Sequence, residues 1–196
     1  MTSFYNKAEL SKLGFKSLGY NVLISKKTSL YGIDRITIGN NVRIDDFCVL
    51  SAGKGGIVIG NYIHIAVYSS LIGEGKITLD NFSGVSSKVS IFSSNDDYTG
   101  NFMTNSTIPT KLKGVTHADV RICKHALVGS GSIILPGVTL NEGCVVGALS
   151  LVNKDCDEFS IYKGNPAKKI VERSRELLKL EKEFLDTFCD KKTNNK

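Results

Sequence analysis

Six aliphatic residues stand at intervals of six near the C-terminal end of the chain: Ile122, Val128, Ile134, Leu140, Val146 and Val152. A helix returns residues to one side at a mixture of three and four and a strand at two, so a strict period of six demands a repeating coil with flat sides. The spacing recurs upstream as three triplets, Ile38/Ile44/Leu50, Ile59/Ile65/Leu71 and Leu79/Val85/Ile91. Each triplet makes one coil, and three flat sides per coil make a triangular prism.

Four positions after each late aliphatic residue comes a smaller one: Ala126, Ser132, Val138, Cys144, Ser150 and Cys156. Val42, Cys48, Ile63, Ser69, Ser83 and Val89 nearly match them upstream. Plus four is also minus two from the next aliphatic residue, so both point inward in the strand sense. The expected core is a column of aliphatic and small side chains inside parallel strands stacked about 4.8 Å apart.

Asn6, with Glu9 three residues on, predicts a short capped helix closing at Gly14. It would cover the open end of the prism, since solenoid ends expose unpaired strand edges. The expected organisation is an N-terminal cap over 1–18, an all-β solenoid over 19–160 and a C-terminal segment and helix over 161–196. Between Ile91 and Ile122 the repeat fails, and a loop excursion is expected over about 94–119; such loops usually carry function. Leu177, Leu180, Phe184 and Phe188 form an apolar stripe on the final helix, which reads as packing against the prism or a neighbouring subunit.

A run of hexapeptides ending in Gly-Asn-Pro-Ala-Lys at 164–168 resembles the hexapeptide-repeat acyltransferases. The resemblance spans almost the whole chain and implies a left-handed parallel β-helix, a homotrimer with sites between subunits, and acetyl-CoA or another acyl-CoA as co-substrate without a metal. It further implies that Gly147, Ala148, Lys163, Pro166, Ala167, Lys168 and Arg173 contact coenzyme A. In physical terms Lys168 and Arg173 can bind phosphate, and small outward residues such as Gly129, Gly147 and Ala148 let a thin arm approach the backbone.

The net charge of +6 suits an anionic small molecule. The basic residues do not interleave with aromatics as a nucleic-acid surface would require. No stretch approaches a membrane span, and the start of the chain has no charged segment before an apolar one, so a cytoplasmic protein without membrane insertion is expected. Of the five cysteines, Cys48, Cys144 and Cys156 occupy small inward positions and read as buried free thiols, whereas Cys123 and Cys189 fall outside the repeat phase.

Among polar residues, His64 lies between inward Ile63 and Ile65 and must point outward, with Arg43 and Gly84 as neighbours on adjacent coils. A glycine beside an outward imidazole leaves a hollow for substrate, in which His64 could serve as base. Ser86, also outward, could bind substrate. The sharpest polar cluster, Asn95-Asp96-Asp97-Tyr98, stands where the chain leaves the prism. There a carboxylate could orient an ammonium group and take its proton, Asp96 being preferred to Asp97 on phase.

Asp-Asp-Tyr followed by Thr99-Gly100 resembles the branch that acylates nucleotide-linked amino sugars, which implies transfer of an acetyl or similar acyl group to the amine of a dideoxy sugar in surface polysaccharide synthesis. Transfer to a sugar hydroxyl through His64 is the alternative, and a non-catalytic trimeric scaffold is another. A zinc enzyme would need three converging histidines, whereas His64 and His125 occupy different phases and His117 ends the loop.

Overall fold

The computed structural model describes residues 3–189. Met1, Thr2 and residues 190–196 lie outside the described residues, as does the side chain of Cys189. The chain winds as a prism whose three faces are stacks of short parallel strands. The first face takes Ser17–Leu18, Ile36–Ile38, Ile57–Ile59, Ile77–Leu79, Val120–Ile122 and Thr139–Leu140. The second takes Val22–Ile24, Val42–Ile44, Ile63–Ile65, Gly84–Val85, Leu127–Val128, Val145–Val146 and Ser160–Gly164, and the third runs from Ser29–Tyr31 to Leu151–Val152.

The expected inward residues are the core. Ile44, Ile65, Leu71, Leu79, Ile91, Ile122 and Val128 are fully buried, and so are the small positions Cys48, Ser69, Val89, Ser132 and Cys144. Burying each branched side chain contributes about 1.5–3 kcal/mol, and the repeat multiplies that term along the stack.

The first coil begins earlier than the expected boundary at residue 19. Leu18 pairs in register with Ile38, and Ile24 and Leu30 with Ile44 and Leu50. Leu18, Ile24 and Leu30 are therefore a further triplet of period six, and the cap is shorter than 1–18. The predicted helix is present at Lys7–Ser11, with Asn6 Oδ1 accepting from Glu9 N and Glu9 Oε2 from Asn6 N, and it buries Leu10 against the first coil.

The edge between the first and second faces turns through left-handed residues stacked coil on coil: Asn21, Asn41, Tyr62, Phe82 and His125, with φ of 53°, 57°, 57°, 61° and 59°. That conformation costs an ordinary side chain about 1–2 kcal/mol. Ring stacking of Tyr62 on Phe82 at 4.9 Å and of Phe82 on His125 at 5.2 Å returns about 0.5–1.5 kcal/mol per pair.

The excursion leaves from the edge between the third and first faces. A two-strand antiparallel neck, Ser94–Asn95 with Thr116–His117, closes its base. The solenoid then resumes in register, with Leu79 beside Ile122 and Ile91 beside Ile134, so the loop is a true insertion into an unbroken stack.

After the last coil, Ser160–Gly164 and Ala167–Glu172 form an antiparallel hairpin on the second face. The helix Leu177–Phe184 and a π-helical turn, Leu185–Cys189, follow. The apolar stripe expected here is only partly used for packing. Phe184 meets Tyr62 and Phe82 edge-on, while Leu180 and Phe188 are exposed.

Candidate active site

One residue beyond each second-face strand the chain turns toward the third face, and these residues align coil over coil. The register Ile44–Ile65–Val85–Val128–Val146–Tyr162 stacks Asp45, Ala66, Ser86, Gly129, Gly147 and Lys163 into one column. Backbone bonds run along it, from Ser86 N to Val128 O, Gly129 N to Val146 O and Gly147 N to Tyr162 O. Buried serines fix this edge from inside: Ser69 Oγ donates to Ser86 O at 2.8 Å, and Ser132 Oγ and Ser150 Oγ donate to Gly147 O at 2.9 and 2.7 Å.

From Ser86 to Lys163 the column spans three coil steps, about 14 Å at the spacing of stacked strands. Its middle is glycine because a Cβ at Gly129 would lie 2.6 Å from Ala148 N, and one at Gly147 would lie 3.0 Å from Lys163 Cβ. The result is a narrow, side-chain-free track ending at an exposed ammonium.

At the other end of the track stands His64. Its Nε2 lies 2.7 Å from Asp45 Oδ2, and Asp45 Oδ1 accepts from Arg43 Nε at 2.7 Å. Burial alone would raise the Asp45 carboxyl, but the bonds from Arg43 and His64 outweigh it and hold the group below its ordinary value. As expected, His64 pairs with Arg43 on one side and Gly84 on the other. Leu127 borders the hollow at Gly84, its Cδ1 3.0 Å from where a Cβ would stand.

The two aspartates of the excursion have different surroundings. Asp97 closes a turn, accepting from Thr99 N, Thr99 Oγ1, Gly100 N and Phe102 N, and the Thr99 hydroxyl leads the bonds that hold its carboxyl below the usual range. Asp96 has no hydrogen-bond partner among the described residues, and Tyr98 beside it is 84% exposed. Asn95 pairs with Thr116 in the neck, and Ser94 Oγ sits 2.8 Å from His117 Nδ1.

In the C-terminal hairpin Lys163 and Lys168 are cross-strand partners, Ala167 packs on the core, and Pro166 lies exposed at the turn after a cis peptide bond. Arg173 does not join them. Its Nη1 donates at 2.9 Å to both His125 O and Gly143 O, because the corner carbonyls near the end of the solenoid need donors. That amino group is thus engaged by the backbone of the first-to-second-face edge.

The residues expected to act together do not meet within one chain. His64 lies mid-way across the second face and Ser86 at its far edge, whereas Asp96 and Asp97 leave from the edge opposite that face. His125 is on the remaining edge, bonded to Glu181 at 2.8 Å, so the three histidines stand on three separate parts of the prism.

No protein-family model matches the sequence. The dTDP-4-amino-4,6-dideoxy-D-glucose acyltransferase of Escherichia coli is 54% identical over 182 residues, covering 93% of this chain and 95% of that one. This chain belongs to the hexapeptide-repeat amino-sugar acyltransferases. Among solved structures, AntD, an N-acyltransferase from Bacillus cereus in complex with dTDP and 3-hydroxybutyryl-CoA, matches with a TM-score of 0.91 at 46% identity, over 95% of this chain and 98% of the other. A serine variant of AntD complexed with dTDP-4-amino-4,6-dideoxyglucose and coenzyme A gives 0.92 at 45% identity over 96% and 100%. The solenoid of this acyltransferase is the left-handed parallel β-helix of that family.

Sequence reasoning about this acyltransferase missed Asp45 as the partner of His64, and it missed the column that joins Ser86 to Lys163. Both were reachable from the repeat phase. Asp45 is one residue after inward Ile44, as Ser86 is after Val85 and Gly147 after Val146.

Proposed function

We propose that this enzyme transfers an acyl group from acyl-CoA to the amine of a dTDP-linked 4-amino-4,6-dideoxy sugar. The observation that carries the reading is the track from Lys163 through Gly147 and Gly129 to Ser86, which is shaped for an extended arm ending in phosphates. The E. coli and B. cereus relatives, named for dTDP-amino sugars and coenzyme A, support it.

In this reading the pantetheine arm lies on Gly147, Ala148 and Gly129, with Lys163 and Lys168 near the phosphates and the thioester at Ser86. The Ser86 hydroxyl, unbonded among the described residues, orients the thioester. The sugar nitrogen attacks the carbonyl carbon, the C–N bond forms, the C–S bond breaks, and coenzyme A leaves as the thiolate. A carboxylate takes the proton shed by nitrogen, and Asp96 is that carboxylate because Asp97 is spent on its turn. Asn95 and Tyr98 flank the sugar, and His64, held by Asp45 beside the hollow at Gly84, borders the acyl end of the track.

Serine and aspartate then belong to different edges, and the site is completed by a second copy. The AntD variants fall at a serine and an aspartate ten positions apart, the same separation as Ser86 and Asp96. Exposed Phe47, Tyr68 and Leu149 flank the track, and exposed Phe102, Met103 and Leu112 cover the excursion; the two apolar surfaces suit each other in a cyclic homotrimer. The described cysteines are free, which fits a reducing cytoplasm, and surface polysaccharide synthesis is the setting we assign. Among the described residues no helix is long and apolar enough to cross a membrane.

The test is thiol release from acetyl-CoA with dTDP-4-amino-4,6-dideoxyglucose beside the corresponding dTDP-6-deoxy sugar bearing a 4-hydroxyl. Release with the amine alone is expected. Release with the hydroxyl alone would shift the base to His64, and release with neither would sink the reading.

A further inference from the structure

The excess positive charge of the chain is concentrated at one end. The first 33 residues hold five lysines, Lys7, Lys12, Lys16, Lys26 and Lys27, against one acid, Glu9. Residues 34–189 hold seventeen basic and seventeen acidic residues, so the body of the prism is neutral. Four of the six net charges belong to the capping segment and the first coil, and the other two to residues 190–196.

Two of the five lysines are neutralised in place. Lys26 Nζ lies 2.6 Å from Glu9 Oε1, and Lys27 Nζ lies 2.8 Å from Asp46 Oδ2. Lys7, Lys12 and Lys16 are exposed and have no carboxylate partner among the described residues. They stand on and just after the helix Lys7–Ser11, which buried Leu10 holds against the first coil, with Leu13 and Phe15 also packed on the core. The three ammonium groups are thereby carried on a seated cap. Neither large hollow of the molecule is lined by any of them, so the charge lies on a surface without a groove.

A cyclic trimer whose copies meet edge to edge sets the prisms side by side, and all three caps then share one end of the assembly. That end presents three unpaired lysines from each copy on one plane. Such a surface matches a planar layer of negative charge better than a duplex, for which the chain lacks interleaved aromatics, or a peptide, which needs a cleft. We infer that the capped end of the trimer docks on anionic phospholipid, with Lys7, Lys12 and Lys16 of each copy among the headgroup phosphates and no segment inserted. The coenzyme A track, on a long edge of the prism, stays open to solutes. The multiplicity of the surface rests on the homotrimer of the proposed function; the uneven charge does not.

Co-sedimentation of the full chain with phosphatidylcholine vesicles, with and without phosphatidylglycerol, tests the assignment. Binding is expected only with phosphatidylglycerol and should be lost at high salt. Lys7→Glu/Lys12→Glu/Lys16→Glu should bind at least about tenfold more weakly while its acyl transfer in solution, which reports an intact fold, stays at the wild-type level. Lys191→Glu/Lys192→Glu/Lys196→Glu makes the same change in net charge and should bind as the wild type does. An equal loss in both variants would show that binding follows net charge alone and overturns the inference. So does wild-type protein that ignores phosphatidylglycerol, or that binds duplex DNA and no vesicles. A wild type that sediments as a monomer before lipid is added would instead remove the trimer, and with it the shared basic end.

Discussion

Glu181 of the C-terminal helix places Oε2 2.8 Å from His125 Nε2, while its Oε1 lies 2.7 Å from Lys124 Nζ. This pair fastens the helix to the prism, and Phe184, edge-on to Phe82 and Tyr62, completes the contact. Burial alone would raise the Glu181 carboxyl, but the bonds from His125 and Lys124 prevail and lower it.

A folded-state value below the unfolded one means that the carboxylate contributes stability at neutral pH and loses it as pH falls through the acid range, below about 4.3. Replacing Glu181 by Gln should destabilise the helix contact by about 1–3 kcal/mol at pH 7. The gap in melting temperature between variant and wild type should persist down to about pH 4.3 and close as pH is lowered further. A gap independent of pH would show that charge at Glu181 plays no part.

Lys163 terminates the side-chain-free track, so removing its ammonium should weaken coenzyme A without touching the chemistry. For Lys163→Ala, KM for acyl-CoA should rise about tenfold, the worth of one charge-assisted contact, with kcat kept. Steady-state kinetics at saturating sugar decides this, and a fall in kcat at unchanged KM would place the phosphates elsewhere.

Ser86 and Asp96 lie on different edges of the prism, so a site shared between copies can be rebuilt from two crippled chains. Ser86→Ala and Asp96→Asn, each of low activity, should regain about a quarter of wild-type activity when co-expressed in equal amounts, since half the chains supply each intact residue at random. Mixtures no more active than their components would show that a single chain holds the whole site.

The repeat was legible because a period of six has no competing local structure, and every small inward position it assigned is buried. Leu18, Ile24 and Leu30 were passed over although they keep the same period. Their strands lie beside the capping segment, where turn residues and a helix signal dominate the local pattern. Phase also placed His64 outward and paired it with Gly84. It could not reveal that Asp97 is consumed by four bonds from the turn it begins, because that depends on how residues 99–102 fold back. Nor could phase show that Arg173 Nη1 bonds the corner carbonyls of His125 and Gly143.

The most direct test of the account compares Asp96→Asn with Asp97→Asn in acyl transfer to dTDP-4-amino-4,6-dideoxyglucose. Removing the proton acceptor should lower kcat for Asp96→Asn by about 10²–10⁴ with little change in KM for acyl-CoA. Asp97→Asn keeps one acceptor oxygen for its turn and should retain most of its kcat. Loss of activity on changing Asp97 alone, with Asp96→Asn near wild type, would contradict the assignment of Asp96 as the residue that takes the proton.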